Sequence, residues 1–363
     1  MSNMTIGIIG CGNIAPAYLR GAQKSDVVRV KACADVLAEA ARARASEFGC
    51  EAMSVEQLLG DREIELVVNL TIPRAHFEIA MQILGAGKHV YNEKPLSVTV
   101  EDGKRLLDAA APRGLRVGCA PDTFLGAGMQ TCRRVFDDGV IGTAIGGNMC
   151  MAWLGPESWH PNPAFFYDVG GGPLLDMGPY YVTALVNLLG PVQRVSAFTS
   201  RPRKERVATS EARYGEKIPV RVDTHNTGLV EFAGGASITA TFSWDVAHTQ
   251  MPRLVIFGSE GTLEMPDPNG FVGPVNIRRH GGEDWSEQPL LHAENARMFG
   301  VVDMAAAIRQ GRPHRASGEL ALHVLEVLEA FGRSSAAEKP VLIQNGCLRP
   351  APLPIGLTAW AID

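Results

Sequence analysis

Gly10-Cys11-Gly12-Asn13-Ile14-Ala15 is the stretch that decides the fold of this 363-residue chain. It fits the pattern G-x-G-x-x-A, and it follows a short apolar run at residues 6–9 and precedes a segment of helical character. The first glycine permits a tight turn, the second leaves room for a pyrophosphate, and the alanine lets the helix pack closely on the strand. The helix N-terminus offers unpaired N–H groups to phosphate oxygens. The cofactor residues predicted in this loop are Gly10, Gly12, Asn13 and Ile14.

An acidic residue follows the loop at the spacing that a dinucleotide site requires. Asp35 ends the second predicted strand, residues 27–34, about twenty positions on, where a carboxylate can accept hydrogen bonds from an adenosine ribose. A plain tight turn followed by a solvated aspartate is the alternative, but strand, loop, helix and acidic residue all occur in the required order. Because a carboxylate repels a 2′-phosphate, we predict NAD as the cofactor, with NADP possible since Arg42 and Arg44 lie one or two helical turns further on.

The order of elements predicts two domains. Strands and helices alternate up to residue 121, which is typical of a parallel sheet covered on both faces, so residues 1–121 are expected to form an NAD(P)-binding Rossmann domain with a doubly wound sheet. In residues 122–363 a block of strands precedes two helices, which favours an α+β domain with a large, mainly antiparallel sheet. The fold class is therefore α/β with an α+β second domain. The most disorder-prone stretch is Arg201 to Lys217, which is charged and poor in apolar residues.

Composition excludes several classes of partner. The formal net charge of −5 gives no basic field for nucleic acid or an anionic membrane, and no apolar run is long enough to span a bilayer. The seven cysteines contain no C-x-x-C pair, which argues against a zinc ribbon or a disulfide framework and suits a reducing cytosol. Without a visible export signal, we expect a cytoplasmic protein with no metal site.

Two loops fall at the carboxyl ends of predicted strands, where doubly wound sheets bind ligands. One contains Asn69 and Thr71 and leads to His76; the other is Asn92-Glu93-Lys94-Pro95. We predict that Asn69, Thr71, His76, Glu93 and Lys94 line the cofactor site. A Glu-Lys pair is ordinarily a solvated surface pair, but the proline restricts the lysine to extended geometry. A cation there can hold a substrate hydroxyl while hydride leaves the neighbouring carbon, so we predict a functional Lys94. The alternative for His76 is that it only caps its helix.

A second motif lies in the other domain, in the segment from Gly170 to Tyr181. Its glycines lead into a helix on which Asp176 and Tyr180, four residues apart, share one face. The alternative is that Asp176 caps the helix and Tyr180 is a packed aromatic residue.

Together these motifs resemble the Gfo/Idh/MocA oxidoreductases, the family of glucose–fructose oxidoreductase, inositol dehydrogenase and rhizopine-catabolism proteins. The resemblance runs over nearly the whole chain and also includes Gly311-Arg312-Pro313. It implies a second domain that binds substrate and forms a homodimer or homotetramer through its sheet. It also implies that Lys94 is the catalytic lysine, that Asp176 is a second catalytic residue, and that the substrate is a small polyol or sugar: a sugar, a sugar derivative or an inositol.

The chain departs from the family where the acid–base residue is expected. Most members carry histidine four residues after the aspartate, whereas this chain has Tyr180, with Tyr181 beside it. A tyrosine pKa of about 10 must fall by two to three units, which takes about 3–4 kcal/mol, and a lysine cation at about 4 Å can supply that much. We therefore expect Tyr180 to exchange the proton, Lys94 to hold the hydroxyl and Asp176 to orient; Tyr181 and His160 are the alternatives for proton exchange.

Further candidates come from the loop before the glycine run. Aromatic residues suit stacking on sugar faces, although a loop anchored by buried aromatics explains them equally well. The predicted substrate residues are Trp153, Trp159, His160 and Tyr181. His225 and Asn226 begin a strand that could reach the same place. Two other functions share this fold: an NAD-dependent glycoside hydrolase, and a non-catalytic dinucleotide-sensing regulator, which would be expected to lack Lys94.

Overall fold

A computed structural model describes residues 3–363, which form two compact units. The first runs through Gln130 and also contains Leu291–Leu322 and Pro350–Asp363, and the second comprises Thr131–Leu290 and His323–Arg349. The two later segments of the first unit pack with the N-terminal part of the chain although they lie far away in sequence. The boundary between residues 121 and 122 stays a prediction.

The first unit is built on a six-stranded sheet in the order β3-β2-β1-β4-β5-β6, and every neighbouring pair is parallel. Its strands are β1 Met4–Ile9, β2 Val28–Ala34, β3 Glu51–Met53, β4 Leu66–Asn69, β5 His89–Asn92 and β6 Val117–Cys119. Its first helices are α1 Ala15–Ala22, α2 Ala38–Phe48, α3 Val55–Gly60, α4 Pro73–Gly85 and α5 Val100–Ala110. The two central strands, β1 and β4, are almost entirely buried and mainly apolar, as is typical of a parallel sheet covered on both faces.

The strand order determines where a ligand can bind in this unit. The chain passes from β1 outward to β2 and β3, and then returns to β4 on the other side of β1. Loops after β1 and β4 therefore diverge and leave a crevice at the carboxyl edge of the sheet. The predicted glycine loop follows β1, and the two predicted polar loops follow β4 and β5.

The second unit holds a nine-stranded sheet in the order β16-β15-β14-β13-β7-β12-β11-β8-β17. The strands β7 and β12 pair in parallel, and the other pairs are antiparallel. After helix α6 Ala127–Asp137, the elements in chain order are β7 Ala144–Ala152, α7 Gly172–Leu189, β8 Val192–Ser200, β9 Glu205–Val207, β10 Lys217–Pro219, β11 His225–Phe232, β12 Ser237–Ser243, β13 Leu254–Gly258, β14 Gly261–Glu264, β15 Val275–Arg279, β16 Ser286–Gln288, α8 Phe299–Gln310, α9 Gly318–Ala337 and β17 Val341–Leu342. Of these, α8 lies in the first unit, and α6 and α9 each have residues in both units.

The two faces of the large sheet differ. Helix α7 packs against β7, β11 and β12 on one face, where the Tyr181 ring meets Phe242 edge-on. The opposite face carries exposed apolar side chains from three strands: Phe198 is 77% exposed, Phe257 47% and Leu229 44%. The fold class predicted from the sequence, a parallel Rossmann sheet followed by a mainly antiparallel one, is confirmed.

The stretch from Arg201 to Lys217 is ordered, contrary to the expectation from its composition. It contributes β9 and the start of β10, which form a separate two-stranded sheet. Arg206 is buried at its centre and forms ion pairs with Glu157 and Asp245. Composition alone could not reveal this order because both carboxylates come from distant parts of the chain. Within residues 3–363, no helix has the length and apolar character needed to cross a membrane.

Candidate active site

The glycine loop after β1 has the geometry of a phosphate-binding turn. Gly10 has φ of +103°, and a Cβ there would lie 2.6 Å from the backbone of Leu70, so only glycine fits. A Cβ built at Gly12 meets no atom within 4 Å, which shows open space beside the loop. Asn13 is exposed and Ile14 half-buried at the start of α1. The loop can therefore admit a pyrophosphate against the helix N-terminus.

Asp35 is turned toward this loop. Its Oδ2 accepts a hydrogen bond from the Cys11 N–H at 2.8 Å, and its Oδ1 accepts one from the Leu37 N–H at 2.8 Å. A carboxylate offers about four lone-pair directions, so acceptor capacity remains for ribose hydroxyls on its exposed side. The predicted position of Asp35 at the end of β2 fits an adenosine ribose.

The loops after β4 and β5 are joined by a buried amide pair. The Asn69 side chain donates to Asn92 Oδ1 at 3.0 Å and to the His76 carbonyl at 3.1 Å, and its own oxygen accepts from the Thr71 hydroxyl at 2.7 Å. Asn69 has no exposed surface. Its side chain fixes the two loops from beneath, which differs from the direct cofactor contact expected from the sequence.

His76 likewise lies behind the loops. Its ring is 1% exposed, with Nδ1 at 2.7 Å from the Pro95 carbonyl and Nε2 at 2.9 Å from the Thr71 carbonyl. Burial lowers the pKa of His76, although both carbonyl oxygens oppose that effect. The neutral ring donates from one nitrogen to the Pro95 or the Thr71 carbonyl, and its buried position corrects the prediction that its side chain faces the cofactor.

Glu93 connects the lysine loop to the phosphate-binding helix. Its Oε1 accepts a hydrogen bond from the Tyr18 hydroxyl of α1 at 2.7 Å, and its Oε2 accepts one from the Lys94 N–H at 2.9 Å. Glu93 is 8% exposed and Tyr18 is fully buried. Burial, and then the Glu93 carboxylate, raise the pKa of Tyr18 well above its ordinary value, so Tyr18 remains a donor. The sequence does not single out Tyr18, because an aromatic residue in α1 cannot be distinguished from an ordinary buried core side chain.

In the second unit, α7 carries the predicted Asp176 and Tyr180. They are four residues apart in one helix and lie on the same face; Asp176 is half-buried and Tyr180 is 7% exposed. The helix begins where the chain packs tightly, because a Cβ at Gly171 would lie 2.3 Å from the Phe166 carbonyl oxygen. The glycine run thus docks the preceding aromatic loop directly onto the first turn of α7.

That aromatic loop, residues 153–168, holds His160 among aromatic rings. Trp159, Phe165 and Phe166 contact the imidazole edge-on, with centroids 5.0–5.4 Å away. The Asn162 N–H donates to His160 Nδ1 at 3.0 Å, so the neutral ring carries its proton on Nε2. Burial lowers the pKa of His160, while the nearby Asp176 carboxylate opposes that effect. The structure thus brings His160 into electrostatic range of Asp176.

The other predicted substrate residues divide into exposed and buried ones. Trp159 is 60% exposed and Trp153 38%, so both offer ring surface to a ligand. Tyr181 has no exposed surface and lies in the core against the sheet, where burial raises its pKa; this corrects its prediction as a substrate residue. His225 bonds to the Ser243 hydroxyl at 2.9 Å, and Asn226 is buried.

Arg206 holds the aromatic loop in place, a role that no sequence motif indicates. Its guanidinium lies 3.1 Å from Glu157 Oε1, 2.5 Å from Asp245 Oδ1 and 2.9 Å from the Trp244 carbonyl. Glu157 in turn accepts a hydrogen bond from the Tyr167 hydroxyl. One buried cation therefore connects both ends of the loop to the end of β12.

Within residues 3–363, the structure places no group of three His, Cys, Asp or Glu residues where they could hold a metal ion.

Two family models match the chain. Residues 4–120 match the model described as "Oxidoreductase family, NAD-binding Rossmann fold", and residues 129–264 match "GFO/IDH/MocA C-terminal domain". The chain is 31% identical over 320 residues to the dTDP-3,4-didehydro-2,6-dideoxy-alpha-D-glucose 3-reductase of Streptomyces violaceoruber, covering 85% of this chain and 86% of the relative. It is 31% identical over 354 residues to the 1,5-anhydro-D-fructose reductase of Ensifer adhaerens, covering 94% of this chain and 98% of that relative.

Solved structures share the fold. An oxidoreductase domain protein from Kribbella flavida superposes with a TM-score of 0.79 at 24% identity, over 95% of this chain and 100% of that one. A levoglucosan dehydrogenase in complex with NADH and L-sorbose superposes with a TM-score of 0.80 at 22% identity, over 95% of this chain and 100% of that one.

Proposed function

The chain belongs to the Gfo/Idh/MocA family of NAD-binding oxidoreductases, and from that premise we propose that it moves hydride to or from a carbohydrate carbon. The substrate group is a secondary alcohol or ketone of a sugar, a sugar derivative or an inositol. The observation that carries this proposal is the placement of Lys94 two residues after the end of β5, at the carboxyl edge of the sheet that bears the glycine loop. The two relatives named above are reductases of sugar derivatives, which supports the substrate class.

We assign three roles to the predicted catalytic residues. When bound, nicotinamide accepts or returns the hydride. Lys94 binds the substrate oxygen and stabilises its negative charge as the hydroxyl proton departs. Tyr180 exchanges that proton, and Asp176, on the same helical face, orients the substrate. The Glu93 contacts to Tyr18 and to the Lys94 N–H support the assignment of Lys94, since they fix the backbone from which the ammonium projects.

His160 receives a different role in this proposal. Because its Nδ1 accepts from the Asn162 N–H, protonation would place two N–H groups against each other, which favours the neutral ring. A neutral ring with Nε2–H donates a hydrogen bond, so His160 suits binding of a substrate hydroxyl better than proton exchange. Trp159 and Trp153 offer apolar ring surface to the C–H faces of a sugar.

The preferred cofactor is NAD. The carboxylate of Asp35 suits ribose hydroxyls and repels a 2′-phosphate. Arg44, the nearest basic candidate for such a phosphate, is already engaged: its Nη1 pairs with Glu47 at 2.7 Å and its Nε points to the Cys11 carbonyl at 3.4 Å. The residues after Asp35, Val36 and Leu37, are 91% and 68% exposed and offer apolar surface to an adenine ring.

We further propose a homodimer or homotetramer formed through the open face of the nine-stranded sheet, in a reducing cytoplasm. Phe198, Phe257 and Leu229 expose large apolar side chains on that face, which a partner subunit would cover. The seven cysteines are all free thiols, as expected in a reducing compartment. Light scattering at the protein's working concentration tests the assembly: Phe198→Asp should shift it toward monomer, whereas an unchanged mass would exclude this face.

Turnover assays test the function. The protein is incubated with NAD or NADP and a panel of sugars, inositols and glycosides, and nicotinamide reduction is followed by absorbance. Substrate-dependent reduction that requires a free or derivatised sugar supports the proposal. Release of an aglycone without net NADH identifies a glycoside hydrolase instead, and tight dinucleotide binding without turnover on the whole panel identifies a sensor.

A further inference from the structure

Asp122 caps a helix that lies far from it in sequence. The N-cap position of α8 is Met298, whose side chain makes no capping hydrogen bond. Asp122, in the loop after β6, supplies the cap instead: its Oδ2 accepts the Gly300 N–H at 3.1 Å, and its Oδ1 accepts a hydrogen bond from Arg297 Nη1 at 3.4 Å. Asp122 has no exposed surface. Because an unpaired buried carboxylate is costly, breaking these contacts is unfavourable, and they hold the start of α8 to the end of β6.

The backbone at the start of α8 is strained. Met298 is fully buried and has φ of +94°, a left-handed conformation that is uncommon for residues other than glycine, asparagine and aspartate. Such a conformation persists where the surrounding structure over-determines it, and these places cluster at functional sites. Asp122 provides that surrounding structure, because it bonds to the residues on both sides of Met298, Arg297 before it and Gly300 after it.

One side of the α8 start lies against the cofactor helix α1. A Cβ built at Gly21 would overlap the Arg297 carbonyl oxygen, so only glycine lets the two backbones approach this closely. Tyr18 is three residues before Gly21 and therefore lies on the same face of α1. Its hydroxyl donates to Glu93 at 2.7 Å, in the lysine loop. The seating of α8 on α1 thus determines where Tyr18 meets that loop.

Another side of the α8 start lies against β5. A Cβ built at Gly300 would overlap the Tyr91 hydroxyl. Tyr91 is fully buried, and within residues 3–363 its hydroxyl has no hydrogen-bond partner. A buried hydroxyl without a partner costs stability, so its presence needs another explanation. Contact is that explanation: Tyr91 lies two residues before Glu93, and its hydroxyl keeps β5 at a fixed distance from α8.

The chain that leads to Asp122 is itself bonded to the lysine loop. The Ala120 N–H donates to the Asn92 carbonyl at 2.9 Å, and the Cys119 thiol donates to the Glu93 carbonyl at 3.7 Å. The start of α8 is therefore fastened to α1, to β5 and to the end of β6, the three elements that surround the lysine loop.

We propose that Asp122 is a positioning residue for hydride transfer: by capping α8, it sets the position of the phosphate-binding helix α1 relative to the lysine loop. The inference rests on the proposed function, in which α1 holds the dinucleotide and Lys94 binds the substrate oxygen. Asp122 is fully buried and acts only through Tyr18 and Glu93. A displacement of about 1 Å in a catalytic site can cost about a hundredfold in rate, so small movements of α1 matter.

The test measures turnover of the best substrate from the panel, NADH affinity and urea unfolding. Asp122→Asn keeps an oxygen for the Gly300 N–H but removes the charge opposite Arg297. Its kcat should fall at least about tenfold, while KM and the dissociation constant for NADH change less than about threefold. Combined with Tyr18→Phe, it should lose little more kcat than the worse single variant, because both act through Glu93.

Two further variants separate positioning from stability. Asp303→Asn is the matched control: Asp303 is equally buried in α8 but pairs with Arg315 at 2.6 Å, so its loss should lower the urea midpoint and leave kcat unchanged. Tyr91→Phe removes a hydroxyl that makes no hydrogen bond. It should keep or raise the urea midpoint and still lower kcat at least about threefold.

The inference is overturned if folded Asp122→Asn keeps more than about half of the wild-type kcat, or if its loss multiplies fully with that of Tyr18→Phe. If Asp122→Asn does not fold, wild-type kcat in Tyr91→Phe overturns it. The proposed function fails separately: a wild-type protein without turnover on the whole panel refutes that function, whereas turnover that survives these substitutions refutes only the role of Asp122.

Discussion

Replacing Arg206 by methionine should destabilise the second unit and loosen its aromatic loop. The change keeps most of the side-chain volume but removes the cation that holds Glu157 and Asp245. These carboxylates are only 12% and 11% exposed, so water cannot fully replace the guanidinium. Breaking a buried ion pair on one side typically costs about 3–5 kcal/mol. Because both carboxylates keep some exposure, we expect about 3 kcal/mol.

The assay is urea unfolding followed by tryptophan fluorescence, since Trp153, Trp159, Trp244 and Trp285 all lie in the second unit. With a urea slope of about 1–3 kcal/mol per molar, the midpoint should fall by about 1 M or more. Arg203→Met is the matched control: Arg203 is 60% exposed and 3.9 Å from Asp245, so its loss should cost below about 1 kcal/mol.

Two further readouts distinguish ion-pair loss from general disruption. Combining Arg206→Met with Glu157→Gln and Asp245→Asn removes the uncompensated charges and should recover part of the lost stability. In turnover assays the Arg206→Met protein should show a raised KM for substrate with unchanged NADH affinity, because only the aromatic loop is loosened. Equal midpoints for the Arg206 and Arg203 variants would refute the reasoning.

Two other predictions concern the cofactor site, and a third concerns His323 of helix α9 in the second unit. Tyr18→Phe removes the hydrogen bond to buried Glu93 and should cost about 1.5–3 kcal/mol of unfolding free energy and lower kcat; full stability would contradict the role of Tyr18. Asp35→Asn should raise the affinity for NADP relative to NAD about tenfold in fluorescence titrations, since the repelling charge is gone; an unchanged ratio would count against Asp35. Burial lowers the pKa of His323, whose Nε2 accepts the Val192 N–H, so its contribution to stability is complete above the unfolded pKa of about 6.5 and is lost as pH falls below it, by up to about 1.4 kcal/mol per pH unit. In His323→Gln the loss of stability between pH 7.5 and pH 5.5, about two pH units, should be smaller; an equal loss would contradict this assignment.

The sequence revealed those features whose physical cause is local. The glycine loop, the strand before it and Asp35 lie within about thirty residues, and each constraint on them, a tight turn or a helix start, acts over a few positions. The alternation of strands and helices predicted the parallel sheet for the same reason. Lys94 was recognised because a proline follows it directly.

Features that depend on distant contacts could not be predicted. Asn69 and His76 are residue types that often bind ligands. In the structure, however, their polar atoms bond to a neighbouring loop that only the fold brings close to them. Arg206 lies in a charged stretch that resembles a disordered one, and its order comes from Glu157 and Asp245, 49 and 39 residues away. Tyr180 and Tyr181 cannot be told apart in the sequence, and only the packing of α7 on the sheet leaves Tyr180 7% exposed and Tyr181 with no exposed surface.

The most direct test of the central claim is turnover by Lys94→Met with NAD and the best substrate from the panel, alongside NADH affinity. Removal of the group that binds the substrate oxygen should lower kcat by about 10²–10⁴-fold while the dissociation constant for NADH changes little. Lys104→Met, on the exposed side of α5, should keep wild-type turnover. A Lys94→Met protein that retains more than about a tenth of wild-type kcat would contradict the assignment of the lysine loop as the catalytic element.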